Sequence, residues 1–261
     1  MKIAVLGAGG FLGKIICEYL RSNGHTVFAV TRRELTLTDY LSVQKWLEQT
    51  LPDAVVNCAT SGGKQRMGDA LLDDVQNNLT IFLNFYNNSQ YFDKFINVGS
   101  GAEFDHSANI DLAKEDHILN VFPKDGYGYA KNTISRLCLE HSKFYTLRLF
   151  GCFDSSDPDF RLFKKFLNND PLDLVDRKFD YFSAQDFCQV IDHYLNNQVE
   201  YRDINCVYKD KLYLSEILNK FKPVEILKKS NNNYTGDGSR LAKLKLKLNG
   251  LDKSIKEYKA L

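Results

Sequence analysis

Tyr127 and Lys131 stand four residues apart in the stretch DGYGYAKNTISRL. On a helix that spacing places both side chains on one face, one turn apart. An ammonium beside a phenol favours the phenolate and draws a tyrosine down from its ordinary pKa of about 10. The pair is thereby equipped to give and take a proton at a reacting oxygen. Taken alone, two such residues read equally well as solvated helix side chains. Tyr129 shares the turn but has Thr133, not a lysine, four residues on. The apolar run before the pair, FINVGSGAEFD, ends with Ser100. The carboxyl end of a strand is where ligands of an open α/β sheet sit, and a hydroxyl there can hold a carbonyl oxygen as charge grows on it.

A second cluster lies at LGAGGFLGKII, behind the apolar run Ile3–Leu6, where Gly7, Gly10 and Gly13 recur every third residue. Strand, glycine turn and helix together cradle a pyrophosphate. The first glycine makes the turn, the second admits the phosphates, and the third lets helix and strand pack. The helix start, with Phe11 and Leu12, offers free N–H groups and a positive dipole. The spacing is not G-x-G-x-x-G, because Leu12 occupies one of its glycine positions. The next apolar run ends AVTRRE, with Thr31, Arg32 and Arg33 where an acid would bind a ribose 2′-hydroxyl. Arginine there accommodates a 2′-phosphate, so NADP(H) is favoured over NAD(H). Glu34 would restore an acid if the turn were shifted.

These residues need a frame. Short apolar runs at Lys2–Leu6, Thr26–Val30, Ala54–Cys58, Lys94–Val98 and Tyr145–Leu149 read as strands buried on both faces. Between them lie helical patterns at Leu12–Ser22, Asp39–Gln49, Asp69–Gln90 and Tyr127–His141. The alternation predicts an α/β fold, a Rossmann-type doubly wound parallel sheet. Residues 1–150 form its dinucleotide-binding domain, with 183–207 returning to it. Residues 151–182 and 208–261 form a small C-terminal substrate-binding cap. Further elements are expected at Phe160–Leu167 (helix), Lys178–Phe182 (strand), Ser183–Leu195 (helix) and Ile204–Val207 (strand). In LAKLKLKLNG, Leu241, Leu244 and Leu248 at helical spacing predict a surface helix.

The chain has 261 residues and a formal net charge of +1. A chain this long buries enough surface to need no disulfide or metal staple, and its charge balance argues against a nucleic-acid binder. Its six cysteines are scattered without metal-ligand spacing, which points to a reducing, cytoplasmic setting and no metal site. No basic and apolar leader and no membrane-length apolar run is present.

The glycine loop, the strand-end serine and the Y-x-x-x-K pair, in this order, resemble the extended short-chain dehydrogenase/reductase family over about residues 1–195, most closely its nucleotide-sugar branch. LTLTDYLSVQKWLEQTLPDAVVNCAT resembles that branch's third strand, helix and fourth strand, and QNNLTIFLNFY its long helix, with Asn78 at the usual asparagine. FDYFSAQDFCQVI resembles its late strand-to-helix junction, with Asp186 at the helix start. Phe179 stands there where many members carry an arginine for the nucleotide diphosphate. The resemblance implies catalytic roles for Ser100, Tyr127 and Lys131. It implies cofactor contacts for Gly7, Gly10, Phe11, Leu12, Gly13, Thr31, Arg32, Arg33, Ala59, Thr60, Asn78 and Lys131. Substrate contacts would come from Ser100, Tyr127, Glu103 and Lys164, although Glu103 reads equally as a loop cap and Lys164 as a solvated charge. His106 and His117, between Ser100 and Tyr127, read as loop histidines or as substrate contacts.

The family's sugar dehydratases place an Asp-Glu pair after the serine, where this chain has Gly101 and Ala102. Its fucose synthases place a cysteine at the position of Ala102 and pair it with a later histidine absent from FDSSDPDFRLFKKF. The remaining expectation is an NADPH-dependent reductase of a 4-keto-6-deoxy nucleotide sugar. Alternatives are an NAD-dependent 4-epimerase and a non-catalytic NADP-binding sensor or scaffold. The resemblance also implies a homodimer formed through the helices Asp69–Gln90 and Tyr127–His141.

Overall fold

Alternate residues of the apolar runs face opposite sides of one sheet. Ile3 and Val5 enter one hydrophobic cluster, Ala4 and Leu6 another. The split recurs at Val56 and Val55, at Ile96 and Phe95, and at Leu147 and Phe144. Strands that are apolar on both faces must be covered on both, and here helices do so.

The computed structural model describes residues 1–61, 72–224 and 228–260. In chain order its strands are β1 (Lys2–Leu6), β2 (Thr26–Val30), β3 (Ala54–Asn57), β4 (Lys94–Ser100), β5 (Ile110–Ala113), β6 (Phe144–Leu149), β7 (Gly151–Phe153), β8 (Val175–Asp176), β9 (Tyr181–Ser183), β10 (Asp203–Cys206), β11 (Lys228–Lys229) and β12 (Tyr234–Gly236). Its helices are α1 (Phe11–Ser22), α2 (Tyr40–Thr50), α3 (Leu72–Tyr86), α4 (Gly126–Leu139), α5 (Leu162–Leu167), α6 (Ala184–Asn196), α7 (Leu214–Asn219), α8 (Ser239–Lys243) and α9 (Gly250–Lys259). Residues 69–71 of the expected third helix lie outside the described residues.

Six strands form a parallel sheet in the order β10-β6-β4-β3-β1-β2. Helices α1 and α6 pack on one face, and α2, α3 and α4 on the other. This is the doubly wound architecture expected. Local signals fix the helix starts. The Asp39 carboxylate accepts from Ser42 N–H at 2.8 Å, and Ser183 Oγ from Asp186 N–H at 3.1 Å. A smaller core of Phe153, Phe163, Ile217, Leu218, Phe221, Ile255 and Tyr258 holds the cap. Asp186 ties the two parts. Its oxygens accept from the N–H groups of Asn249 (2.7 Å) and Gly250 (3.0 Å) and from the Tyr208 hydroxyl (2.6 Å).

Three expectations are corrected. Residues 35–37 form no strand. β2 is the sheet's edge, and the Leu37 carbonyl accepts from Asn84 Nδ2 at 2.8 Å instead of from a strand neighbour. The surface helix over LAKLKLKLNG ends at Lys243. Beyond it the chain turns at Lys245, with φ 52°, and Leu244, Leu246 and Leu248 pack against the central core while Lys245 and Lys247 are exposed. This segment therefore covers the main sheet and not the cap. The strand expected at Lys178–Phe182 is confined to Tyr181–Ser183, with Lys178 and Phe179 making only single bridges to Tyr213 and Tyr234.

Candidate active site

The turn after β1 requires glycine twice. Gly7 has φ +74°, and a Cβ there would come within 2.8 Å of the Ala59 backbone. A Cβ on Gly13 would lie 2.2 Å from the Gly7 carbonyl oxygen, so Gly13 sets how closely α1 approaches the strand. Gly10 caps α1, and the first helical bond runs from Lys14 N–H to the Gly10 carbonyl at 3.0 Å. The N–H groups of Phe11, Leu12 and Gly13 precede that bond and point out of the helix start, a ready anion site. Gly13→Ala is expected to abolish NADPH binding, read by quenching or transfer of the dihydronicotinamide fluorescence. Binding at the wild-type affinity would contradict this packing.

From this turn a cleft of about 960 Å³ extends across the carboxyl ends of β1, β2 and β3. Gly7, Gly9, Gly10, residues 31–38, Ala59 and Thr60 line it, with Asn77 and Ile81 of α3. Its volume is in the upper range for small-molecule sites. A cradle that a Cβ would fill, beside open helix N–H groups, fits a dinucleotide. Gly9 went unnoticed in the sequence, although the Gly9-Gly10 doublet signals it. Arg32 and Arg33 are exposed at the cleft's far end. Glu34 also lines it, but its carboxylate folds back onto Thr31, accepting from the N–H at 2.9 Å and from the hydroxyl. Those bonds hold Glu34 below the usual carboxylate range.

Asn78 is corrected. It is buried, and its amide is spent on Ser61 (Oδ1 accepts from the N–H at 2.9 Å) and on the Asp74 carbonyl (2.7 Å). It holds the loop after β3, and Asn77 meets the cleft in its place. Lys164 places its ammonium 5.4 Å from the Tyr258 ring centroid, against the cap. The cation on the glycine loop is Arg161, which the sequence reading missed. Its guanidinium lies 4.4 Å from the Phe11 ring centroid and is anchored by Asp157 at 2.7 Å.

The next strand along, β4, delivers Ser100. Lys131 of α4 is buried, and its Nζ donates to the Val98 carbonyl at 2.9 Å. That bond pins α4 to the end of β4. Tyr127 stands one turn earlier on the same face of α4. Ser100 Oγ accepts from Ala102 N–H at 3.3 Å, which leaves its own proton to donate. Cys58 lines the cleft near Lys131, but loss of hydration pushes its thiol up to about 12, so it is neutral and not a nucleophile. Among the described residues no cluster of His, Cys, Asp and Glu could hold a metal ion.

Of the two expected readings of Glu103 the loop cap holds, and the substrate contact is corrected. Glu103 is fully buried and faces no cleft. One oxygen accepts from Ser100 N–H at 2.7 Å, and the other pairs with Arg148 Nε at 2.6 Å. Arg148, also fully buried, reaches Asp203 at 2.8 Å and the Asn205 side chain at 3.0 Å. Burial opposes its charge, but the two carboxylates outweigh burial and raise its pKa. An arginine inside the apolar run YTLRLF was the available signal, since such a charge requires buried partners.

A family model described as "NAD dependent epimerase/dehydratase family" matches residues 3–206. The chain belongs to this family. Among curated relatives, a dTDP-4-keto-6-deoxy-D-glucose reductase of Streptomyces niveus is 38% identical over 68 residues, which cover 25% of this chain and 24% of the relative. The family fold is matched along the whole length by solved structures. MlghC, a GDP-mannoheptose C4 reductase from Campylobacter jejuni with NADP bound, superposes with a TM-score of 0.80 at 19% identity, covering 99% of this chain and 97% of that one. WbmH of Bordetella bronchiseptica, in complex with NAD+, gives 0.76 at 15% identity, covering 99% and 97%. Among the described residues no helix is long and apolar enough to cross a membrane.

Proposed function

We propose that this chain is an NADPH-dependent reductase of the C4 ketone of a nucleotide-diphosphate 4-keto-6-deoxy sugar, acting in deoxysugar biosynthesis for surface polysaccharide. The observation that carries this reading is the buried Lys131, bonded to the Val98 carbonyl at 2.9 Å. Tyr127 stands one turn before Lys131 on the same helix, and Ser100 ends the strand two residues beyond Val98. Gly101 and Ala102 follow the serine with no side chain able to eliminate water or move a ring proton. The names of the curated relative and of MlghC support a keto sugar as substrate.

In this mechanism the glycine turn and the start of α1 would hold the pyrophosphate. Arg32 and Arg33 would take the 2′-phosphate, and Ala59 and Thr60 would border the cofactor. When bound, the reduced nicotinamide supplies the hydride. Ser100 donates a hydrogen bond to the ketone oxygen as it gains charge, and Tyr127 gives that oxygen its proton. Lys131 keeps the tyrosine helix on the strand through its bond to the Val98 carbonyl. Arg161 closes the glycine loop from the cap side. A dimer through α3 and α4, where Leu83 and Tyr129 are exposed, belongs to the same proposal and is checked by light scattering.

The test is loss of dihydronicotinamide absorbance with NADPH or NADH against a panel of nucleotide-diphosphate 4-keto sugars. Oxidation of NADPH with one sugar supports the reductase, and Arg32→Ala with Arg33→Ala is expected to raise the apparent KM for NADPH far more than that for NADH. Glu34, an acid at the ribose end of the cleft, favours the NAD-linked 4-epimerase as the second reading. Purified protein that carries NAD and interconverts a 4-hydroxy sugar would establish it.

A further inference from the structure

We propose that His106 and Asp125 form a proton-dependent latch that keeps Tyr127 in register with Ser100, which makes His106 a positioning residue of the reductase proposed above. Tyr127 lies in the first turn of α4, where backbone N–H groups have no helical partners and fraying begins. Asp125 holds that turn. One carboxylate oxygen accepts from Gly128 N–H at 2.8 Å, and the other faces His106 Nδ1 at 3.2 Å. His106 belongs to the serine's side of the site. Ser100 caps the short helical segment Gly101–Phe104, and Asp105 ends it with φ 65°. The Asp105 carboxylate then accepts from the N–H (3.2 Å) and hydroxyl (2.6 Å) of Ser107, fixing the turn that presents His106. One polar contact thus joins the segment begun by Ser100 to the residue that starts the tyrosine's helix.

Other ties between these segments lie deeper and carry no charge. Asn132 Nδ2 donates to the Glu103 carbonyl at 2.9 Å, and Gly128 packs against the Ala102 carbonyl. Asn132 acts more than a turn beyond Tyr127, so it steadies the body of α4 and not its start. The latch is partly open to solvent, with side-chain exposures of 45% for His106 and 34% for Asp125, while the Asp125 Oδ2 that faces the imidazole is buried. The charged groups around the imidazole are Asp125 on α4, Asp105 in its own turn and Arg177 on the cap. The hydrogen bond that the imidazole gives to the Asp125 carboxylate outweighs burial and Arg177 and raises His106 above the ordinary histidine value. Burial acts against the Asp125 charge, but His106 and the Gly128 N–H hold the carboxyl below its usual range. A histidine raised on folding contributes below its unfolded pKa and loses that contribution as pH rises through the folded value. The latch is therefore closed on the acid side and released on the alkaline side.

The decisive experiment measures kcat and KM across the histidine range for wild type, His106→Ala, Asp125→Asn, the double variant and His106→Lys. Asp125→Asn keeps an oxygen for the Gly128 N–H and removes only the charge. His106→Ala is expected to be on the order of 10-fold slower on the acid side, short of the roughly 10²-fold that a 1 Å misplacement costs. KM for NADPH should not change, the alkaline decline in kcat should vanish, and His106→Lys should restore kcat at high pH. The double variant should be no slower than either single. An alkaline decline that persists in His106→Ala, or single effects that multiply, would overturn the latch. An NMR titration of the unliganded protein separates this from the reductase reading, because it needs no turnover. The amide signals of residues 126–128 should titrate with the His106 imidazole in wild type and not in His106→Ala, and Asp125→Asn should return the imidazole to its ordinary value. Amides that ignore His106 would overturn the latch even if the ketone reduction is established.

Discussion

Tyr127→Phe is expected to lower kcat by about 10²–10⁴-fold, the range for losing a positioned general acid, while NADPH binds as in wild type. The ring stays and the helix start is unaffected, because Asp125 caps α4 through Gly128 and not through the phenol. Lys131 stays bonded to the Val98 carbonyl, so the strand-to-helix seam persists. What disappears is the proton for the sugar oxygen. Steady-state rates with the accepted keto sugar, beside NADPH titration by fluorescence, check the split. A variant that keeps more than a tenth of the wild-type kcat would remove the tyrosine from the chemistry. It would also revive the reading of the chain as a cofactor-binding scaffold.

Arg148→Ala is expected to carry the largest stability cost. The substitution leaves the Glu103 and Asp203 carboxylates facing each other in a region with no exposure. Breaking a buried pair by removing one partner costs about 3–5 kcal/mol, which for a chain of this size means a fall in Tm on the order of 10 °C. The loss should reach the site as well, since Glu103 holds the Ser100 N–H at 2.7 Å. Replacing both members of the nearer pair, Arg148→Met with Glu103→Gln, should recover part of the stability because no uncompensated charge then remains beside Ser100. Calorimetry or denaturant unfolding checks both variants. Equal Tm values for wild type and Arg148→Ala would mean that the pair contributes nothing.

The parts of the molecule that were legible are those whose residues have few other uses. Glycines recurring every third residue between an apolar strand and a helix marked the turn that begins the sheet. Side-chain direction inside the site was harder to read. Glu103 follows the strand-end serine and looks like a group for sugar hydroxyls, yet it turns inward because Arg148, distant in sequence, needs a carboxylate. Asn78 turns away from the cleft for a similar reason, as the Ser61 backbone takes its amide. LKLKL offers helical spacing through Leu241, Leu244 and Leu248 and strand spacing through Leu244, Leu246 and Leu248. The available core decides, and the main core takes the alternating leucines. No strand forms at residues 35–37 because Asn84 supplies a hydrogen-bond donor that only the folded chain brings near.

The buried charges also bear on synthesis. Ser100, Tyr127 and Lys131 leave the ribosome well before Asp203 and Asn205, which accept from Arg148, and before Arg240, which donates to the Asp203 carbonyl at 3.1 Å and to Asp116 at 2.6 Å. A nascent chain that has emerged only as far as α6 holds Ser100, Tyr127 and Lys131, but its Arg148 lacks Asp203 and Asn205, two of its three partners. In such a chain the glycine turn is complete while the charges that underlie the Ser100 N–H remain unpaired.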